Sequence, residues 1–62
     1  MNTFSVGDRV VIKNSLAFNG MGGVVEGIFP LAPFPILVKV EGYNSFYFNS
    51  TELEVVNEES DF

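Results

Sequence analysis

Apolar and polar residues alternate along several short stretches of this chain, and glycine, proline, asparagine and serine separate the stretches. Arg9-Val10-Val11-Ile12-Lys13 puts Val10 and Ile12 on one face and Arg9, Val11 and Lys13 on the other. That period of two marks a half-buried strand. The preceding Val6-Gly7-Asp8 reads as a turn or a strand entry. Gly23 to Phe29 is a second strand: with Glu26 facing water, Val24, Glu26 and Ile28 point outward and Val25, Gly27 and Phe29 inward. Gly27 inside a strand marks a bulge or a sharp bend. Ile36 to Glu41 follows, with Ile36, Val38 and Val40 inward and Leu37, Lys39 and Glu41 outward. Ser45 to Phe48 sends Phe46 and Phe48 inward and Tyr47 outward, and Leu53 to Val56 sends Leu53 and Val55 inward.

The connections are equally legible. Asn14 to Gly22 is a loop, and its Asn19-Gly20 step favours the left-handed backbone of a tight turn. Gly42-Tyr43-Asn44 predicts a hairpin, and Asn49-Ser50-Thr51-Glu52 a single helical turn before the last strand. Pro30-Leu31-Ala32-Pro33-Phe34-Pro35 excludes both helix and central strand, because proline lacks the donor that each requires. It is also apolar throughout, which is unusual for a connection exposed to water. No stretch reads as a long amphipathic helix, a repeat or a linker. The predicted fold is therefore all-β: a small five-stranded SH3-like barrel with one short helical turn before the last strand. The domain spans residues 1–56 and an acidic flexible tail spans 57–62. The expected core is Val6, Val10, Ile12, Val25, Ile36, Val38, Val40, Phe46, Phe48, Leu53 and Val55.

Composition narrows the chemistry. A chain of 62 residues with 47% hydrophobic and 18% charged positions is a single folded domain rather than a disordered segment. It has no cysteine and no histidine. Disulfides, thiolate zinc sites, cysteine nucleophiles and the commonest general base are all excluded. So short a chain usually leans on a disulfide, a metal or a partner, which makes a partner protein the leading expectation. No cofactor is expected. The formal charge is -5. Glu58, Glu59 and Asp61 carry three of those charges in the tail; the rest sets Asp8, Glu26, Glu41, Glu52 and Glu54 against Arg9, Lys13 and Lys39. Three bases do not build a nucleic-acid face or a polybasic membrane contact. No apolar run approaches the ~20 residues of a membrane helix. The first residues lack a basic and then apolar leader, so a cytoplasmic location is expected. Asn49-Ser50-Thr51 matches a glycosylation sequon; without a secretory leader it is read as a chance match.

Three segments in order carry a family resemblance: Pro35-Ile36-Leu37-Val38-Lys39-Val40-Glu41, then Phe46-Tyr47-Phe48, then Glu52-Leu53-Glu54-Val55-Val56. Phe4-Ser5-Val6-Gly7-Asp8-Arg9-Val10 and Gly20-Met21-Gly22-Gly23-Val24-Val25 precede them. Across residues 4–56 this order resembles the variable (alpha) chain of ferredoxin–thioredoxin reductase. It also resembles the SH3-like subunit of photosystem I and the ferredoxin-binding subunit of the photosynthetic NDH complex. The resemblance implies an SH3-like barrel acting as a noncatalytic accessory subunit of a photosynthetic electron-transfer assembly. It holds no cofactor of its own and packs against an iron–sulfur catalytic chain or a photosynthetic complex, on the cytoplasmic or stroma-equivalent side of the membrane. The chain departs from the reductase family in its shorter Asn14–Asn19 segment. It also carries Tyr47-Phe48-Asn49 where that family tends to have His-Phe-Arg. The basic residues that would attract an acidic ferredoxin are thus missing, and what carries over is the fold and the accessory role.

The candidate partner-binding residues are Phe29, Leu31 and Phe34 in the proline-stiffened loop, with Tyr43 and Tyr47 read either as amphipathic anchors or as surface bystanders beside a turn. A stiff loop loses little entropy on binding. The competing reading is a loop folded over one barrel end as a plug. Phe18 and Met21 read as caps on the core. Glu52 and Glu54 alternate onto a solvated face with no histidine beside them, and Gly20-x-Gly22-Gly23 lacks the Lys-Ser/Thr and helix of a phosphate loop. No catalytic residues are therefore assigned. A Pro-peptide groove beside Tyr43 lacks the tryptophan and acidic cluster of SH3 domains. Two alternatives to the accessory subunit stand: a nucleic-acid- or ribosome-associated barrel of the KOW type, whose Gly-rich turn looks similar, and a barrel that self-associates into a homodimer.

Overall fold

A computed structural model describes residues 4–56; the predicted acidic tail lies outside the described residues. The strands are β1 (Arg9–Ile12), β2 (Gly22–Ile28), β3 (Ile36–Val40), β4 (Ser45–Phe48) and β5 (Leu53–Val55), with a 3-10 turn at Ser50–Glu52 immediately before β5. All pair antiparallel in one five-stranded sheet of order β4-β3-β2-β1-β5. The all-β architecture and the single helical turn are as expected from the alternation.

The turns follow from local chemistry. Gly7, Gly20 and Gly42 take positive φ at the tips of three connections, where a side chain would be strained. Across the β3–β4 hairpin, the Tyr43 N–H donates to the Val40 carbonyl at 2.9 Å and Lys39 Nζ to the Tyr43 carbonyl at 2.5 Å. The Glu52 carboxylate accepts the Asn49 N–H at 2.9 Å, which caps the 3-10 turn.

The core comprises Val10, Ile12, Val25, Ile36, Val38, Val40, Phe48 and Leu53. These come from all five strands through same-face rows such as Ile12 opposite Leu53 and Ile36 opposite Phe48. Three expected core residues are not buried: Val6 is 65% exposed, Phe46 38% and Val55 42%. Val6 sits in the Ser5–Asp8 turn, where the Asp8 N–H reaches the Ser5 carbonyl; Phe4 packs against the core from that segment instead. Phe46 and Val55 have the expected facing but stand on β4 and β5, the outermost strands of the sheet, so one flank of each is uncovered.

The inward–outward assignment of β2 also needs correction beyond its midpoint. Val25 opposes Val38, but Gly27 opposes Leu37 and Ile28 opposes Ile36, so Glu26 is an extra residue in the ladder. A bulge of this kind resets the alternation. Ile28 therefore packs against the core and Phe29 turns outward, 46% exposed.

Candidate functional site: an aromatic depression beside β4

The Phe29–Pro35 connection is tied at its base, where the Phe29 N–H donates to the Pro35 carbonyl at 2.7 Å, and turned within by the Ala32 N–H donating to the Phe29 carbonyl at 2.9 Å. Three prolines stiffen what those bonds define. Phe29 rests over the bare backbone of Gly27: a Cβ there would lie 2.9 Å from Phe29 Cε2. Phe29, Ala32, Pro33 and Phe34 face Tyr47 of β4 across an open depression of about 400 Å³. The Phe29 and Tyr47 rings meet edge to face, centroids 6.2 Å apart at 61°. No charged residue lines this surface.

The structure thus brings Phe29, Phe34 and Tyr47 together. Leu31 projects from the same loop, fully exposed. Tyr43 is elsewhere. It meets Phe18 edge to face at 5.7 Å, and Phe18 also contacts Phe46 at 4.9 Å and Phe48 at 6.2 Å. Phe18 and Met21 pack on the core, the capping place their sequence context predicted. Leu31 of the proline loop is fully exposed, and Phe29 and Phe34 are each about half exposed. Sequence reasoning missed Ala32 and Pro33 as lining residues and Gly27 as the seat of Phe29. The signal available was the bulge at Gly27, whose effect on Phe29 follows only once the alternation is restarted after it.

A second concavity, of about 420 Å³, lies where Arg9, Val11, Gly22, Val24, Lys39 and Glu41 come together. Its polar groups are of mixed sign. The Gly20-x-Gly22-Gly23 run divides between a turn at Gly20 and strand positions opposite Val11 and Val10. Glu54 pairs with Lys13 at 3.6 Å while Glu52 caps its own turn. Among the described residues no cluster of three acidic groups is placed to hold a metal, and no helix is long and apolar enough to cross a membrane.

Fold and site together define a small all-β module with an uncharged aromatic depression on its surface. Family models, curated proteins and solved structures yield no match to this chain.

Proposed function

We propose that this chain is a noncatalytic protein-interaction module, an accessory subunit that receives an apolar element of its partner in the Phe29–Phe34–Tyr47 depression while Leu31 inserts into the partner. The observation that carries this is the exposure of four large apolar side chains around one uncharged hollow: Phe29 46%, Leu31 100%, Phe34 50% and Tyr47 56%. Contiguous apolar surface rimmed by a stiff loop is what interfaces use, and aromatic residues carry much of their energy. Backbone ties and prolines hold the loop before binding, which lowers the entropic cost.

The partner class we favour is an iron–sulfur catalytic chain of a photosynthetic assembly. Two things support it: the order of motifs that resembles the ferredoxin–thioredoxin reductase variable chain, and the five-stranded fold with its 3-10 turn before the last strand. A net charge of -5 argues against direct docking of an acidic carrier. Replacing Phe29, Leu31 and Phe34 together by serine is expected to abolish capture of the iron–sulfur chain from native lysate while leaving the circular dichroism of the barrel unchanged. Undiminished capture by the triple variant refutes the site.

A further inference from the structure

The outer edge of β4 is set up to pair with another strand. Val40 and Asn44 form a hydrogen-bonded pair, the Val40 N–H donating to the Asn44 carbonyl at 3.2 Å. The register continues through Lys39 and Ser45, Val38 and Phe46, Leu37 and Tyr47. In an antiparallel ladder bonded and non-bonded pairs alternate. Phe46 and Phe48 therefore spend their backbone groups on β3, and Ser45 and Tyr47 turn N–H and C=O away from the sheet. Among the described residues no segment pairs with that edge.

Natural sheets protect such an edge with charge, proline or a bulge. β4 has none of these: its residues are Ser45, Phe46, Tyr47 and Phe48. The opposite edge differs, since β5 is three residues long and carries Glu54 paired with Lys13. Phe46 adds a second, independent observation. It points to the core face and stacks on Phe18 at 4.9 Å, yet stays 38% exposed because nothing lies beyond β4.

We propose that a second copy of this chain covers the edge, β4 pairing antiparallel with β4 about a two-fold axis through Phe46. Ser45 of each copy then exchanges both backbone hydrogen bonds with Tyr47 of the other, using the outward groups and no others. Phe46 meets its counterpart side by side on the core face, the close non-bonded position in which aromatic pairs stabilise a sheet. The two-fold makes the edge its own complement; the four residues of the strand carry no charge, and the Glu26 carboxylate beside it is held by the Ser45 hydroxyl at 2.5 Å. This pairing uses backbone and Phe46 and stands apart from the loop depression proposed above.

The test uses the full chain made by chemical synthesis, with and without an N-methyl group on the Tyr47 amide. Sedimentation equilibrium up to about 1 mM, the weak end of specific affinity, is expected to show the unmodified chain reaching twice its 6.8 kDa mass and the N-methylated chain remaining at 6.8 kDa. The Phe29, Leu31 and Phe34 triple-serine variant is expected to dimerise still, which separates this proposal from the partner site. Amide exchange on the unmodified chain needs no variant: protection at Tyr47 is expected to rise with concentration while protection at Phe46 stays constant. A chain monomeric throughout overturns the proposal, as does a dimer that persists after N-methylation or forms without concentration-dependent protection at Tyr47.

Discussion

The neighbouring glycines Gly22 and Gly23 are expected to respond to alanine in opposite directions, and the reason is visible atom by atom. Neither has positive φ, so an alanine backbone is permitted at both. A Cβ on Gly23 would lie 2.6 Å from Val38 Cγ1 and 2.7 Å from the Lys39 carbonyl oxygen. Carbon atoms pack at about 3.5–4.0 Å, so both contacts have to lengthen, the one to Val38 by roughly 1 Å. Val38 is fully buried, and the Lys39 carbonyl belongs to β3 beside Gly23's own strand. Gly23 is also flanked in register by the buried Val10 and Val40. Overpacking of this kind costs about 1–3 kcal/mol. The gain from a stiffer unfolded chain, about 0.4–1 kcal/mol, offsets only part of it. On Gly22 the nearest atoms are Glu41 Oε1 at 3.5 Å and the Val10 carbonyl at 3.8 Å, so there only the gain remains. The stability of a domain this size is about 0.05–0.15 kcal/mol per residue, so the Gly23→Ala loss is a sizeable share of it. With about 4–8 °C per kcal/mol, Gly23→Ala lowers Tm by several degrees and Gly22→Ala raises it slightly. Parallel thermal and urea melts followed by circular dichroism read both. Equal shifts in the two variants would refute the packing argument and leave only β-propensity, which treats the two sites alike.

Two further perturbations test the cap and the turn. Phe18→Ala removes the ring shared by Tyr43, Phe46 and Phe48 and is expected to cost about 2–3 kcal/mol in urea melts; a loss below about 0.5 kcal/mol, the range of ordinary surface substitutions, would show that Phe18 is not a structural cap. Glu52→Ala removes the acceptor of the Asn49 N–H and is expected to cost about 1 kcal/mol, while Glu52→Gln, which retains a carbonyl acceptor, recovers part of it; identical melting temperatures for the two variants would contradict the capping role.

The fold was readable because period-two alternation survives in β1, β3, β4 and β5, and because glycine and asparagine mark their turns. Val10 and Ile12, or Ile36, Val38 and Val40, are buried as their spacing requires. Phe46 and Val55 were misassigned for one physical reason. Alternation reports which way a side chain points, not whether anything lies there to cover it. Phe46 and Val55 point the expected way and are left half-covered at the two edges. Pairing order belongs to the whole sheet and cannot be read within a single strand. Of the candidate contact residues, Phe29, Phe34 and Tyr47 converge while Tyr43 joins Phe18. Tyr43 and Tyr47 are close in sequence, but a tight hairpin separates their directions. That Phe18 caps the core was legible from its context; that Tyr43 would meet it there was not.

The bulge at Glu26 links the fold to the surface. Without the extra residue, uninterrupted alternation would bring Phe29 to the core face and Ile28 to the outer face, and the proline loop would begin from the opposite side of the sheet. With it, Ile28 completes the row opposite Ile36 and Phe29 emerges beside Tyr47. Gly27 serves both results: it lies where the register shifts, and its lack of a side chain gives the Phe29 ring somewhere to rest. A bulge is usually credited with bending a strand. Here the bulge also sets Ile28 rather than Phe29 against the core, and so places on the outside the ring from which the depression is built. The apolar excess of the 29–34 segment is therefore not material the core failed to accommodate. Its first residue is turned outward by a backbone irregularity within β2, and the hydrogen bond from the Phe29 N–H to the Pro35 carbonyl then holds the loop so that Phe34 reaches the same hollow.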